Sequence, residues 1–226
     1  MKRQGPVKRR YDSSGRREAA AARQARIVES ARELFATRGY SATTMEAIAD
    51  RATVSVETVY LAFKTKAALL ARVVDVTLAG DEAAIPLAER PLFQEVRNER
   101  DQRKQVRLLA RNARRVLERA GALQWALLLA SGHEPDIAQL VDTYNRRRLE
   151  TMTMFAGWVA ANGPLLDGIT VEQAGQTYWT LTSTEVHHML RSRLGYSADA
   201  YEQWLGDQLE RTLLPPKNSS EKGAGG

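Results

Sequence analysis

The chain has 226 residues, of which 43% are hydrophobic and 27% are charged, and its formal net charge is +6. These proportions are typical of a soluble globular protein, and every apolar run is far shorter than the roughly 20 residues that cross a bilayer. Because the chain contains no cysteine, disulfides, thiolate metal sites and a cysteine nucleophile are excluded. No apolar segment follows the charged first residues, so we expect no secretory signal and a cytoplasmic protein.

The excess positive charge lies in the first 66 residues, which contain 14 Lys and Arg against 7 Asp and Glu. A basic segment beside a nearly neutral body indicates a polyanionic partner, of which nucleic acid is the leading candidate. A solubilising tail is the alternative, because half of these basic residues fall within the first 17 positions. Residues 1–15 are predicted to be a basic disordered arm, and whether it contacts DNA stays open.

Strand patterns are almost absent, whereas apolar residues recur at helical spacing, which predicts an all-α fold. A first helix is predicted over about 16–38, and Gly39 suits the left-handed residue that ends a helix. Thr43 and Glu46 fit a capping box for a second helix that ends near residue 51. Ser55 can cap a third helix, and Thr65 a fourth that ends near residue 79.

Beyond residue 80, Pro86 and Pro91 are expected to break the chain. The later helices are predicted at roughly 101–119, 122–131, 136–162, 170–192 and 198–213, which gives about nine in all. Gly and Ser in the final residues, 215–226, predict a disordered tail.

The third helix is barely two turns long, so packing must hold it in place. Met45, Ile48 and Val59 are predicted to brace it. Its outer side would then present Val56, Glu57, Thr58 and Tyr60. A short, braced helix with a free N-terminal face fits the major groove of DNA. An ordinary helical hairpin within a bundle is the alternative.

Residues 26–70 carry a gapless series of characteristic residues. The series comprises Arg26-Ile27-x-x-x-Ala31-x-x-Leu34-Phe35-x-x-x-Gly39-Tyr40, then Thr43-Thr44-x-x-x-Ile48-Ala49, then Val54-Ser55-x-x-Thr58-Val59-Tyr60-x-x-Phe63-x-x-Lys66-x-x-Leu69-Leu70. It resembles the opening of the TetR (tetracycline-repressor-like) family of transcriptional regulators. The resemblance implies a three-helix, helix-turn-helix DNA-binding domain over 16–64. It also implies a helical effector-binding and dimerisation domain over 65–214.

The resemblance also implies which residues contact DNA. The predicted set is Thr44, Ser55, Val56, Glu57, Thr58, Tyr60, Lys64 and Lys66. Thr44, Tyr60 and Lys66 match the family's phosphate contacts, whereas residues 56–58 would face base edges. Thr53 and Glu57 depart from the pattern: the family commonly has glycine at the first position, and the carboxylate at the second would lie near phosphates. Both departures bear on DNA sequence preference and on how the turn closes.

In the C-terminal domain, the resemblance implies a homodimer and a cavity for a small effector. The predicted dimer residues are Tyr178, Leu181, Tyr201, Trp204, Leu205 and Leu209. A stripe buried inside one chain is the alternative for them. The predicted effector residues are Trp125, His133, Tyr144, Met152, Phe155, Trp179 and His187, with packing of the aromatic residues as the alternative. Glu185 and His188 could share a helix face and bind a metal, but no further ligands are evident.

Together these features predict a repressor that leaves a pseudopalindromic operator when a small molecule binds. An architectural or ligand-independent DNA-binding protein is the alternative. No catalytic residue, metal or cofactor is predicted, because the three histidines are accompanied by no nucleophile motif, phosphate loop or metal-ligand spacing. The effector, the operator, the regulated genes and the choice between repressor and activator stay open.

Overall fold

The computed structural model describes residues 13–80 and 89–216, so most of the predicted N-terminal arm and C-terminal tail lie outside the described residues. Every regular element in these two ranges is helical, as predicted. The chain divides into two compact units, residues 1–73 and 74–226, which are described in turn. None of the described helices is long and apolar enough to cross a membrane.

The N-terminal unit contains α1 (Ser13–Arg38), α2 (Met45–Ala52), α3 (Val56–Phe63) and the first half of α4 (Lys66–Ala79). Its interior is mainly apolar. The buried residues include Ile27, Ala31, Phe35, Ile48, Val59, Leu69 and Leu70. Gly39 follows α1 with φ +78°, which confirms the predicted left-handed helix end. Burial of these stripes supplies the packing that an eight-residue α3 needs.

The helix cap of α2 differs from the prediction by one residue. Thr44, rather than Thr43, is the N-cap, and its hydroxyl accepts a hydrogen bond from the Ala47 N–H at 3.1 Å. Thr43 is buried instead, and its hydroxyl hydrogen-bonds the carbonyls of Gly39 at 2.8 Å and Leu34 at 3.3 Å. The sequence pair Thr43-Thr44 offers two candidate caps, and the buried carbonyls of the preceding turn engage the first.

The C-terminal unit begins within α4 and continues with α5 (Pro91–Asn98), α6 (Gln102–Ser131) and α7 (Pro135–Ala160). After these come α8 (Val171–Leu181), α9 (Thr184–His188), a π-helical turn (Met189–Arg193) and α10 (Ala198–Leu213). The core of this unit gathers residues from α5, α6, α7, α8 and α10. The bounds of α10 are those predicted.

Three helix predictions in this unit are wrong, each for a local reason. The residues after Pro91 form α5, because proline at the first helical position loses no hydrogen bond that the helix needs. A second helix does not begin at 122, since α6 continues through Gly121. A Cβ on Gly121 would lie 3.2 Å from the His187 ring, so this glycine provides close packing. The predicted helix 170–192 is interrupted after α8, where Ser183 caps α9.

Candidate nucleic-acid interface and effector cavity

The N-terminal end of α3 is organised by Ser55, as predicted. The Ser55 hydroxyl accepts a hydrogen bond from the Thr58 N–H at 3.3 Å and lies 3.0 Å from the Thr58 hydroxyl. The backbone N–H of Glu57 and the Ser55 hydroxyl together lower the pKa of the Glu57 carboxyl. Glu57 is therefore a fully solvated anion at the start of the helix, where the helix dipole favours negative charge.

The two sides of α3 have opposite environments. Val59 is completely buried, whereas Tyr60 is 46% exposed and Leu61 is 87% exposed. Val56 and Thr58 are half-buried, and Glu57 is exposed. The outer side of α3 is therefore free to meet another molecule. Leu61 was not among the predicted contacts, although its helical position beside Thr58 places it at the edge of this side.

The turn between α2 and α3 closes in a left-handed conformation in spite of Thr53. This residue has φ +56° and ψ +52°, and its N–H bonds the last carbonyls of α2. The turn thus has the geometry for which glycine is the usual residue, at a conformational cost to a β-branched side chain. The departure from the family pattern changes the energy of the turn and leaves its path intact.

The two predicted lysines have different surroundings. Lys64 is exposed at the end of α3, with φ +59° and ψ −49°, and the Thr65 N–H reaches back to the Phe63 carbonyl at 2.6 Å. These are the features of a γ-turn. The Lys66 ammonium instead donates to the carbonyls of Tyr40 at 2.9 Å and Thr43 at 3.0 Å. Lys66 therefore fixes the segment that leads into α2, whereas Lys64 extends into solvent.

The C-terminal unit contains a partly open cavity of about 300 Å³. Its walls are apolar along one part and polar along another. The lining residues are Val74, Gln124, Leu127, Leu128, Leu140, Val141, Tyr144, Asn145, Arg148, Trp179, Thr180, Ser183, Thr184 and Glu185. This volume is at the lower end of the range for small-molecule sites. Tyr144 and Trp179 were predicted to line it, but Arg148 was not.

The sequence pattern of bacterial regulatory proteins of the tetR family matches residues 27–73, the segment that builds α2 and α3 and their support. This segment of the chain therefore carries the sequence pattern of the tetR family. A comparison with curated protein sequences finds no match. The fold of the chain is shared by solved structures of low sequence identity.

Three of these structures are similar over most of both chains. A transcriptional regulator from Saccharomonospora viridis in complex with choline has 21% identity and a TM-score of 0.67, over 87% of this chain and 100% of that one. The regulator FadR from Bacillus subtilis in complex with stearoyl-CoA has 18% identity and a TM-score of 0.65, over 82% and 96%. NalD, the secondary repressor of an efflux pump in Pseudomonas aeruginosa, has 20% identity and a TM-score of 0.64, over 86% and 98%.

Five of the seven residues predicted to face the effector do not line this cavity. His133 is exposed, and Met152 packs against the core. Phe155 is buried in that core, stacked on Phe93 at 5.1 Å. Trp125 stacks on His188 at 3.8 Å, and His187 meets Tyr201 edge-on at 5.0 Å. His133 is exposed and the other four pack against neighbouring side chains, so a role of these five toward an effector stays a prediction.

Four of the six residues predicted at the dimer interface lie inside the single chain, and the dimer itself stays a prediction. Tyr178, Tyr201, Leu205 and Leu209 are buried inside the single chain, where α8 and α10 contribute to the core. Ion pairs between α6 and α10 flank this packing: Arg107 meets Asp207 at 2.7 Å and Glu210 at 2.6 Å, and Arg114 meets Glu202 at 2.6 Å. Only Leu181 and Trp204 of the predicted set are half-buried.

The possible metal pair is not assembled as a site. Within residues 13–80 and 89–216, no three His, Asp or Glu side chains come together in a way that could hold a metal ion. Glu185 lines the cavity, while the His188 ring lies flat against Trp125.

Proposed function

We propose that this chain is a transcriptional repressor that binds a pseudopalindromic operator as a homodimer and leaves it when a small molecule binds. The observation that carries the proposal is the environment of α3. Val59 anchors the helix in the N-terminal unit, while Glu57, Tyr60 and Leu61 stay exposed on the other side. A short helix with one anchored side and one open side suits insertion into the major groove.

The chemistry of this surface indicates how sequence would be read. The α3 surface offers the Val56 side chain and the Thr58 methyl group for apolar contact with thymine methyl groups, and the Glu57 carboxylate for a cytosine amino group. It lacks the Arg, Asn and Gln side chains that make the strongest bidentate base contacts. We therefore expect DNA shape and deformability to contribute much of the specificity. Lys64 is expected to contact phosphate, because its ammonium is exposed at the end of the same helix.

A cavity in the C-terminal unit supports the ligand-responsive part of the proposal. The regulators from S. viridis and B. subtilis were solved with choline and stearoyl-CoA, respectively, and both share this fold. Val74 lines the cavity and belongs to α4, the helix that begins at Lys66. An effector that contacts Val74 would bias the position of α4. A coupling of about 1–3 kcal/mol, or roughly 5- to 150-fold in DNA affinity, is typical of such a link.

The experiment is footprinting of the purified protein on the DNA upstream of its own gene, followed by affinity measurements on the protected site and on an unrelated duplex of equal length. We expect a protected, pseudopalindromic site and a specificity ratio of at least about 10³. Thr58→Ala should change the preferred base at one position of each half-site. Lys64→Ala should weaken binding to both duplexes, and Arg147→Ala on α7 is the matched control for loss of an exposed charge.

Equal affinity for both duplexes with a steep salt dependence would instead indicate an architectural DNA-binding protein. The proposal would also fail if Thr58→Ala and Lys64→Ala weakened binding to every sequence by the same factor.

A further inference from the structure

The Arg148 guanidinium has an unusual position for a half-buried cation. It extends from α7 along the cavity wall, donates to the Thr182 hydroxyl at 2.8 Å and to the Trp179 carbonyl, and lies over the Trp179 ring at 5.2 Å. All these partners are neutral. Burial lowers the pKa of this guanidinium, which indicates incomplete solvation of the charge.

Acidic groups do not neutralise Arg148 at close range. Among the described residues, no carboxylate lies within ion-pair distance of it. Glu185 also lines the cavity and its charge favours the protonated form of Arg148, but the two side chains form no ion pair. A cation held by neutral groups beside a cavity is a ready partner for an anion that enters the cavity.

A chain of hydrogen bonds provides a second donor on the same wall. The Thr184 hydroxyl donates to the Gln124 side-chain carbonyl at 3.0 Å, and the Gln124 amide donates to the Tyr144 hydroxyl oxygen at 2.7 Å. Because Tyr144 accepts in this chain, its own O–H hydrogen is free to donate. Tyr144 and Arg148 are four residues apart on α7, so both side chains lie on one face of the helix.

Trp179 adds a third donor. Its indole Nε1–H is buried and has no hydrogen-bond partner within the described part of the chain, although the residue lines the cavity. A buried donor without an acceptor is unfavourable, because it has lost its hydrogen bond to water. The cavity wall therefore offers three hydrogen-bond donors to an acceptor group on the ligand, from Arg148, Tyr144 and Trp179.

The aliphatic part of the cavity wall indicates what the rest of the ligand is like. Five aliphatic side chains line the cavity: Val74, Leu127, Leu128, Leu140 and Val141. They would stabilise an apolar tail by about 25 cal/mol for each Å² of apolar surface removed from water. The volume of about 300 Å³ limits this tail to a small one. The single guanidinium balances one negative charge and leaves a doubly charged phosphate under-compensated.

We propose that the effector of this cavity is a small amphipathic monocarboxylate, whose carboxylate meets Arg148 and Tyr144 and whose tail contacts the aliphatic wall. This inference rests on the proposed function only in treating the cavity as the effector site. It names a ligand class by its chemistry, and the head group is the part that can be tested.

The test is calorimetric titration of the full chain with octanoate, octanamide and octylammonium, which share a tail and differ in the head group. We expect octanoate to bind wild type at least tenfold more tightly than octanamide, and octylammonium to bind more weakly still. Arg148→Gln should remove the tenfold preference for octanoate over octanamide. Arg147→Gln, which removes an exposed arginine one position earlier, should keep the preference.

Tyr144→Phe is the second variant and should weaken octanoate several-fold while the chain stays folded. Equal or tighter binding of octanamide or octylammonium, or failure of all three probes to bind wild type, would overturn the monocarboxylate proposal. Addition of octanoate to the operator complex separates the two proposals. If octanoate binds with the expected preference but leaves DNA affinity unchanged, the proposed repressor mechanism fails and the ligand class stands.

Discussion

At the scale of single residues, Thr53 is the clearest case of backbone strain in the N-terminal unit. Its left-handed conformation, at φ +56°, costs an L-residue about 1–2 kcal/mol, and its branched side chain lies exposed. Thr53→Gly removes this cost but gives the unfolded chain more freedom, by about 0.4–1 kcal/mol. We expect a net gain of about 0.5–1 kcal/mol in the free energy of unfolding, measured by urea denaturation.

A matched control is Thr151→Gly, because Thr151 lies within α7 in an ordinary helical conformation. That change should destabilise the chain by roughly 0.3–0.5 kcal/mol, since glycine is a poorer helix former than threonine. If Thr53→Gly lost as much stability as Thr151→Gly, the interpretation that the Thr53 backbone is strained would be contradicted. Operator affinity should not change, as the path of the turn is already the one that glycine favours.

Arg148 illustrates which functional residues a sequence pattern does not reveal. It follows Arg146 and Arg147, and no local feature distinguishes the three arginines. Only the packing of α6, α7 and α8 makes the third a cavity residue and leaves the other two exposed. Ser55, Thr58 and Tyr60 could be placed from sequence because caps and helix faces depend on neighbours along the chain.

At the scale of elements, the contact between α7 and α8 depends on Gly175. A Cβ on this residue would lie 2.6 Å from the Thr153 hydroxyl oxygen and 2.7 Å from the Thr153 Cα. The backbone atom cannot move without shifting α7. We therefore expect Gly175→Ala to destabilise the chain by about 1–3 kcal/mol, measured by urea denaturation, in spite of the better helix propensity of alanine.

The control for this prediction is Gly157→Ala in α7. The nearest atom to a Cβ there is a Val171 methyl group at 3.9 Å, an ordinary contact. This variant should equal wild type or gain up to about 1 kcal/mol. If both variants were equally stable, the prediction that the contact between α7 and α8 requires glycine at position 175 would be wrong.

The helices differ in how far the sequence determines them. α10 begins after the Ser197 cap and carries a regular apolar stripe, so its bounds, Ala198–Leu213, follow from local signals. The continuation of α6 through Gly121 does not follow from local signals, because a glycine in a helical pattern indicates either a helix end or a close contact. The His187 ring against Gly121 decides between these, and that contact joins residues far apart in the chain.

The same limit applies to the residues predicted at the dimer interface. A stripe at i, i+3 and i+4 identifies a buried side of a helix but does not say which neighbour covers it. For Tyr201, Leu205 and Leu209 the neighbours are helices of the same chain. The surface available to a second copy must be formed by residues that this core leaves partly open, such as Leu181 and Trp204.

At the scale of the whole molecule, an α3 of eight residues reads too few base pairs to select one site in a genome, so the proposed repressor needs two copies. Their reading helices must enter successive major grooves about 34–36 Å apart. We expect sedimentation equilibrium to give twice the 25.2 kDa mass of the chain at micromolar concentration. Leu181→Arg should shift the protein towards the monomer and weaken operator binding by at least tenfold, since an arginine buried between copies lacks a partner.

Met154→Arg is the control, because Met154 is 37% exposed on α7 and outside the predicted dimer residues. It should leave both mass and operator affinity unchanged. Thermal melting of both variants separates loss of the dimer from loss of the fold. A monomeric wild type that still protects a pseudopalindromic site would contradict the dimer. A Leu181→Arg variant that stays dimeric would place the interface on another face, while leaving the DNA-reading role of α3 intact.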